Sequence, residues 1–241
     1  MNLLLLDSLE NRSFTVDAQQ DSRRFIHIRD HLRLAVGQTL RFGVVGAGKG
    51  LACLTQASEQ TFLFSVVEYA ESFKETLIDC ELYIALPRPQ MVKRIVESCS
   101  TFGVKALHFI HTDKVEKNYW QSPVLHQDSL DHCLLLGAEQ AGSTYLPSIT
   151  LHQPLTKHAA SFILQNNSTL ESACVLHPGK FPALSRSALA DHQSLLIGPE
   201  GGFSERELHH FQSKKLPCYQ IGSRILRVET AVVAALSRVC V

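Results

Sequence analysis

Residues 195–207, LLIGPEGGFSERE, constrain the fold of this chain more than any other stretch. The large aliphatic residues at its start predict a buried strand, and Ser204 to Glu207 has the S-x-x-E pattern of a capping box, which predicts a helix start. The turn between them is rich in glycine, so its backbone can come close to a ligand. A strand that ends in a glycine turn before a helix is where α/β proteins bind nucleotides and cofactors.

The rest of the chain predicts two domains that meet near residues 70–76. Before that point, short alternating runs at 38–42, 51–54 and 61–67 predict a small β-barrel. After it, predicted strands (82–86, 106–110, 148–151, 173–176, 195–197, 218–221) alternate with predicted helices (91–102, 129–140, 159–164, 204–214, 228–239). This alternation is typical of a mostly parallel sheet with helices on both faces. We therefore predict a β-domain over 1–72 and an α/β domain over 76–241.

The amino-acid composition excludes few classes of protein. The 23 basic and 23 acidic residues balance, which neither suggests nor excludes nucleic acid, because a local basic face can bind it. The seven cysteines are scattered without a C-x-x-C pair, which predicts reduced thiols in a cytosolic protein. No apolar run approaches the length of a membrane span, and the apolar start is too short for a signal segment.

Residues 43–50, GVVGAGKG, match the G-x-x-x-x-G-K part of a phosphate-binding loop. Gly50 stands where such a loop needs Ser or Thr for magnesium. We predict a hairpin turn in which the glycines supply positive φ, and keep phosphate binding as a distant alternative in which Lys49 contacts a phosphate.

Histidine pairs and an arginine run are two further candidates. Two histidine pairs have helical spacing: His27 with His31, and His108 with His111. No cysteine or carboxylate cluster completes a metal site with either pair. We therefore predict no metal. The arginine run could be a solvated face or a phosphate-backbone contact, and it comprises Arg23, Arg24, Arg29, Arg33 and Arg41.

The glycine turn at 198–202 matches neither a dinucleotide fingerprint nor a phosphate loop. Glu200 within it would repel phosphates, so the turn favours a cofactor without phosphates, with a purely structural turn as the alternative. A second segment, 221–231 (IGSRILRVETA), follows a predicted strand and opens an apolar helix. Its Arg227 and Glu229 could form a structural ion pair or line a reaction site.

Together, LLIGPEGGFSERE and IGSRILRVETAVVAAL closely resemble the C-terminal signatures of the SPOUT methyltransferases that methylate N3 of uridine in small-subunit ribosomal RNA. Further resemblance extends over residues 27–37, 82–103 and 137–147. Substrate-side positions differ from the usual family pattern, notably at Thr101, Lys114 and Ser143, and at 30–33.

This resemblance implies a PUA-like β-barrel that helps to hold RNA, followed by a SPOUT domain with a parallel sheet and a deep trefoil knot. It implies S-adenosylmethionine as cofactor, a homodimer, and 16S ribosomal RNA, within the 30S subunit, as the cytoplasmic substrate. Two alternatives stay open: the same chemistry on another RNA, and a catalytically silent RNA-binding or ribosome-assembly factor.

The resemblance also assigns roles to residues. The implied cofactor-binding residues are Leu196, Ile197, Gly198, Pro199, Glu200, Gly201, Gly202, Ile221, Gly222, Ile225, Leu226 and Thr230. The candidate catalytic residues are Arg227, Glu229 and Glu200: Arg227 would stabilise the negative uracil or position its phosphate, and either glutamate would be the base or orient Arg227. The candidate RNA-binding residues are Arg23, Arg24, Arg29, Arg33 and Lys49.

Overall fold

The structure is a computed structural model. It describes residues 2–71, 75, 77–154, 161–165, 173–185 and 194–239. The chain divides into two compact units, Met1–Glu75 with Ala138–Leu146, and Thr76–Gly137 with Pro147–Val241. Nothing in the strand and helix pattern indicates that residues 138–146 belong to the N-terminal unit.

The N-terminal unit contains one five-stranded sheet. Its strands are β1 (Leu4–Leu6), β2 (Ser13–Asp17), β3 (Thr39–Val44), β4 (Lys49–Ala57) and β5 (Thr61–Ala70). They lie in the order β1-β3-β4-β5-β2, with β1 parallel to β3 and the other neighbours antiparallel. The sequence predicts a small barrel; among the described residues the sheet is open, because β1 and β2 lie at its two edges.

The glycine-rich stretch 43–50 is a β-hairpin, so the phosphate-loop alternative is wrong. β3 and β4 pair antiparallel across it, and no helix follows. Gly46 has a φ of +67° in the turn. A Cβ on Gly50 would lie 2.0 Å from the carbonyl oxygen of Glu68 on β5. The glycines are therefore needed for a positive φ and for close approach between strands.

A helical segment that the sequence analysis missed lies within the arginine run. It consists of α1 (Ser22–Ile26) and a π-helical turn, His27–Leu32. The side chain of Asp21 accepts a hydrogen bond from the backbone N–H of Arg24 at 3.2 Å and caps α1. Phe25 and Ile28 are buried three residues apart, and the Phe25 ring stacks on Phe62 at 4.6 Å. Arg23, Arg24 and Arg29 of the arginine run lie on this helical segment, whereas Arg41 lies on β3.

The C-terminal unit is built from alternating strands and helices. Its strands are β6 (Ile78–Ala85), β7 (Val104–Ile110), β8 (Ser148–His152), β9 (Ala173–Leu176), β10 (Ser194–Ile197) and β11 (Cys218–Tyr219). Its helices are α2 (Pro89–Phe102), α3 (Gln127–Ala141, whose last residues belong to the N-terminal unit), α4 (Phe162–Gln165), α5 (Glu205–Ser213) and α6 (Val228–Val239). Two short 3-10 turns, Lys117–Gln121 and Pro123–Leu125, precede α3.

The sheet of this unit has the order β11-β9-β10-β6-β7-β8, and every neighbouring pair is parallel. The predicted parallel α/β sheet is therefore confirmed. β9 and β10 are buried along their whole length, as their continuous apolar sequences require. Several boundaries differ from the prediction by a few residues. The strand predicted at 218–221 ends at Tyr219, and the strand predicted at 82–86 begins at Ile78. The helix predicted at 159–164 overlaps α4 (Phe162–Gln165), while residues 159–160 lie outside the described residues.

The six described cysteines are free thiols, as predicted; they are Cys53, Cys80, Cys99, Cys133, Cys174 and Cys218. Burial raises the pKa of Cys80 and of Cys174 to about 12, so these thiols stay protonated and unreactive. Cys240 lies outside the described residues. Within the described part of the chain, no helix is long and apolar enough to cross a membrane.

Two histidines on neighbouring strands make the stability of the C-terminal unit depend on pH. Nδ1 of His108 lies 3.2 Å from Nε2 of His152, and the His108 ring stacks on Tyr83 at 4.3 Å. Burial lowers the pKa of both histidines below the ordinary 6.5, although Glu81 partly opposes this shift at His108. The folded state then binds fewer protons than the unfolded chain, so stability present above pH 6.5 is lost as the pH falls through the folded pKa values.

We therefore expect the free energy of unfolding to decrease on acidification, and His152→Gln to make this decrease shallower. Glutamine can keep a hydrogen bond to His108 but cannot be protonated. Urea unfolding over a pH series measures the slope. His132→Gln, at an exposed position of α3, is the control. An unchanged slope in His152→Gln would contradict this account.

Candidate functional site

The segments that follow the strands of the parallel sheet form a cleft at its carboxyl edge. The cleft contains about 630 Å³ of empty space, its open mouth included. It is lined by Leu176, His177, Pro178, Ile197, Gly198, Pro199, Glu200, Gly202, Ile221, Gly222, Arg224, Ile225, Leu226, Val228 and Ala231. These residues end or follow β9 and β10, follow β11, or open α6. Ligands of open α/β sheets bind at this edge.

The glycine turn after β10 forms one wall of the cleft. The backbone N–H of Gly202 donates to the carbonyl oxygen of Pro199 at 2.8 Å and closes the turn. Gly202 has a φ of +66°, which favours glycine. A Cβ on Gly198 would lie 3.2 Å from the Phe203 ring. The glycines thus serve a tight turn and leave backbone rather than side chains at the cleft.

Two contacts from distant segments hold this turn. A side-chain oxygen of Glu200 accepts a hydrogen bond from the backbone N–H of Arg88, which precedes α2, at 3.0 Å. The Nζ of Lys114, which follows β7, donates to the carbonyl oxygen of Gly201 at 2.9 Å. The segments after β6 and β7 therefore fix the position of the turn after β10.

A buried glutamate anchors the helix that follows the turn. Glu207 is fully buried and forms the predicted capping box with Ser204, which is thereby confirmed. Its side-chain oxygens accept from the N–H of Ser204 at 2.9 Å, from the N–H of Asp113 at 3.0 Å and from the Oγ of Ser161 at 2.5 Å. Segments after β7, before α4 and before α5 thus meet at one side chain.

An exposed ion pair supports the same junction. Arg206 donates to the carboxylate of Asp113 at 2.6 Å, and the Oγ of Ser204 contacts the other oxygen at 2.5 Å. Burial by itself would raise the pKa of Asp113, but hydrogen bonds from Arg206 and Ser204 hold it below its usual value. Asp113 is therefore charged at neutral pH.

The segment before α6 forms the opposite wall. Ile225 is 84% exposed, so its apolar surface is open to a ligand. Arg227 is exposed, and Glu229 is half-buried in the first turn of α6. A carboxylate there also interacts favourably with the helix dipole, so a structural role for Glu229 remains consistent with its position.

His177, directly after β9, is a cleft residue that the sequence analysis missed. Its backbone N–H donates to the carbonyl oxygen of Tyr219 at 3.0 Å. The centroid of its ring lies 6.0 Å from that of Phe181 and 6.0 Å from that of Phe203. Nδ1 of the ring is buried and has no hydrogen-bond partner among the described residues. The His-Pro-Gly sequence after an apolar run could have identified this strand end.

The structure brings most of the predicted cofactor residues together. Those that line the cleft are Ile197, Gly198, Pro199, Glu200, Gly202, Ile221, Gly222, Ile225 and Leu226. Leu196, Gly201 and Thr230 are not among the lining residues; Leu196 is fully buried within β10. The lining residues that the sequence analysis missed are Leu176, His177, Pro178, Arg224, Val228 and Ala231. Of the candidate catalytic residues, Glu200 lines the cleft, whereas Arg227 and Glu229 lie beside lining residues in the chain.

The candidate RNA-binding residues all lie in the N-terminal unit, and several have protein partners. Glu139, which is 1% exposed, accepts from Arg23 at 2.7 Å and from Arg24 at 2.9 Å. Lys49 pairs with Glu75 at 2.8 Å. Two further candidates, Arg29 and Arg33, are exposed, and Arg29 pairs with Asp30 at 2.6 Å. Arg23 and Arg24 therefore each form an ion pair with a buried carboxylate, which gives them a structural role.

The candidate metal ligands do not form a site in the described structure. His27 and His31 lie with ring centroids 5.4 Å apart. Across the described ranges, no group of three or more His, Cys, Asp or Glu side chains could hold a metal ion.

Comparison with known proteins gives consistent matches. The model of a family described as an RNA methyltransferase domain matches residues 74–240. Ribosomal RNA small subunit methyltransferase E from Treponema pallidum is 31% identical over 98% of this chain and 89% of that protein. Ribosomal RNA small subunit methyltransferase E 1 from Borreliella burgdorferi is 28% identical over 98% of this chain and 95% of that protein.

A solved structure has the same fold. It is a ribosomal RNA small subunit methyltransferase E from Neisseria gonorrhoeae bound to S-adenosyl methionine. The TM-score is 0.72 at 16% identity, over 98% of this chain and 95% of that chain.

Proposed function

The chain belongs to the RNA methyltransferase family, and from that premise we propose that it transfers a methyl group from S-adenosylmethionine to N3 of a uridine in 16S ribosomal RNA. The observation that carries this proposal is the cleft itself. Both signature segments, the glycine turn after β10 and the segment before α6, form its walls. Its position at the carboxyl edge of a parallel sheet is where such folds bind cofactors.

The residues of the cleft fit S-adenosylmethionine. A cofactor without phosphates is compatible with the carboxylate of Glu200 at the wall. The apolar side chains of Ile197, Ile221 and Leu226 can contact an adenosyl group, and the glycines let backbone N–H and C=O groups reach its polar edges. His177 adds a buried nitrogen without a partner among the described residues. We propose that these residues hold the cofactor, with Leu196, Gly201 and Thr230 supporting them from adjacent positions.

Methyl transfer to uridine N3 requires different residues to stabilise the uracil anion and to accept its proton. When bound, S-adenosylmethionine supplies an electrophilic methyl group on a sulfonium sulfur, whose carbon–sulfur bond breaks as the carbon–nitrogen bond forms. Uridine N3 carries a proton and is a poor nucleophile until that proton leaves. We propose that Arg227 stabilises the negative uracil or positions its phosphate, and that Glu229 or Glu200 accepts the proton or orients Arg227. Glu200 already accepts the Arg88 N–H, which favours Glu229 as the acceptor.

We propose that the N-terminal unit, as a PUA-like domain, helps to hold the RNA. Arg29 and Arg33 are exposed, and so are the apolar residues Ile26, Leu32 and Val36 of the same stretch of sequence. Arginines of this kind contact phosphates; the other candidates are Arg23, Arg24 and Lys49. By the same family resemblance, we propose a trefoil-knotted SPOUT domain, a homodimer, and the 30S subunit in the cytoplasm as the place of action.

Methyl transfer to isolated ribosomal subunits tests this proposal. The full chain, S-adenosylmethionine labelled on the methyl group, and 30S subunits from cells that lack the corresponding modification are incubated together. We expect label in 16S RNA. Label in another RNA class alone would favour the same chemistry on another substrate. Cofactor binding without label in any RNA would favour the silent RNA-binding factor.

A further inference from the structure

His177 combines three features that no other described residue of the cleft combines. It lines the cleft, its ring nitrogen Nδ1 is buried, and that nitrogen has no hydrogen-bond partner among the described residues. A buried polar group without a partner destabilises a fold. Such a group at the wall of a binding cleft is explained if the ligand, or a small rotation of the ring on binding, supplies the missing partner.

The surroundings of His177 keep its imidazole neutral. Burial and, secondly, the nearby Lys114 ammonium lower the pKa of His177. Lys114 itself is held by the carbonyl oxygen of Gly201 at 2.9 Å. The ring packs against the glycine turn, since its Cε1 lies 3.4 Å from the position of a Cβ on Gly202. The other charged residues that line the cleft are Glu200 and Arg224.

We propose that His177 is a specificity-determining residue of the cleft, which accepts the methyl donor as a neutral imidazole and rejects it as an imidazolium. This inference rests on the proposed function. S-adenosylmethionine carries a sulfonium cation, whereas S-adenosylhomocysteine, the product, lacks that charge. An imidazolium at the wall would repel the donor and leave the product largely unaffected. Acidification would therefore reduce the preference of the cleft for donor over product.

Isothermal titration calorimetry with the full chain tests the proposal without any activity measurement. Both ligands are titrated over a pH series from about 8 to about 5, because the pKa of His177 lies below the ordinary histidine value. We expect the affinity for S-adenosylmethionine to fall as the pH decreases through this lowered pKa, with a loss that approaches about tenfold as the imidazolium predominates, the size of one charge–charge repulsion in a partly solvated site. The affinity for S-adenosylhomocysteine should change less than about threefold.

Two variants separate the effect of the charge on His177 from the effect of its packing. His177→Asn keeps a polar atom near the Nδ1 position but cannot be protonated, so it should bind the donor at about pH 8 and lose the pH dependence. Lys114→Met removes a like charge, so the midpoint of the pH dependence should move to higher pH. The matched controls are His209→Asn and Lys93→Met, both at exposed helical positions.

The outcomes are distinguishable. If both ligands respond equally to pH, or if His177→Asn keeps the full pH dependence, the inference is wrong while the proposed cofactor stands. If neither ligand binds at any pH of the series, the proposed function fails and the inference with it.

Discussion

Replacing Arg227 by alanine is expected to lower kcat for methyl transfer at least about 100-fold, the cost of losing one positioned donor at a developing anion. The dissociation constant for S-adenosylmethionine should change less than about threefold. Arg227 is exposed and follows cleft-lining residues at the start of α6, but it does not line the cleft itself. Its exposed guanidinium is therefore available to an RNA substrate. Single-turnover kinetics and calorimetry measure the two quantities.

Two further variants make the Arg227 result interpretable. Arg94→Ala, at an exposed position of α2, should retain both activity and cofactor affinity. Arg227→Lys keeps the charge without the planar fork of donors, so its kcat should lie between those of Arg227→Ala and Arg94→Ala. An equal loss of turnover and cofactor affinity in Arg227→Ala would show that this arginine supports the structure of the cleft instead of the reaction.

Replacing Glu207 by alanine is expected to lower the free energy of unfolding of the C-terminal unit by about 3 kcal/mol, and its Tm by about 10 °C. Glu207 is fully buried and accepts hydrogen bonds from the backbone of Asp113 and Ser204 and from Ser161. Alanine would leave these donors without their acceptor. Because α5 follows the glycine turn, we also expect weaker cofactor binding. Thermal unfolding followed by circular dichroism, with calorimetry, measures both effects.

The control for this variant lies in the same turn of helix. Glu205 is exposed and also acidic, so Glu205→Ala removes a charge near the helix start without removing a buried acceptor. Its effect should stay below about 1 kcal/mol. Glu207→Gln keeps one side-chain oxygen and should be less harmful than alanine. Equal, small effects of the Glu205→Ala and Glu207→Ala variants would refute the role given to the buried network.

The features that local sequence determines could be predicted. The continuous apolar residues of β10, the glycine turn and the capping box of Ser204 and Glu207 follow from propensity and pattern within a few residues. The alternation of strands and helices also follows from these local patterns. The cofactor residues of the two signature segments were assigned from the family resemblance, and most of them meet in one cleft.

The features that long-range contacts determine could not be predicted. α1 and the π-helical turn after it are not predicted because arginines flank the short apolar face that Phe25 and Ile28 form across them. Arg23 and Arg24 both pair with Glu139, which lies more than 100 residues away in sequence. His177 joins the cleft only because β9 pairs with β10. Side-chain pairing across such distances depends on topology, which a local pattern does not contain.

The identity of the methylated nucleoside tests the central claim most directly. The full chain is incubated with S-adenosylmethionine and 30S subunits that lack the modification, and the 16S RNA is digested to nucleosides for mass spectrometry. We predict new N3-methyluridine with the wild-type chain and at least about 100-fold less with Arg227→Ala. A methylated nucleoside of any other kind, or no methylated product while the cofactor binds, would contradict the claim that this chain methylates uridine N3 of 16S ribosomal RNA.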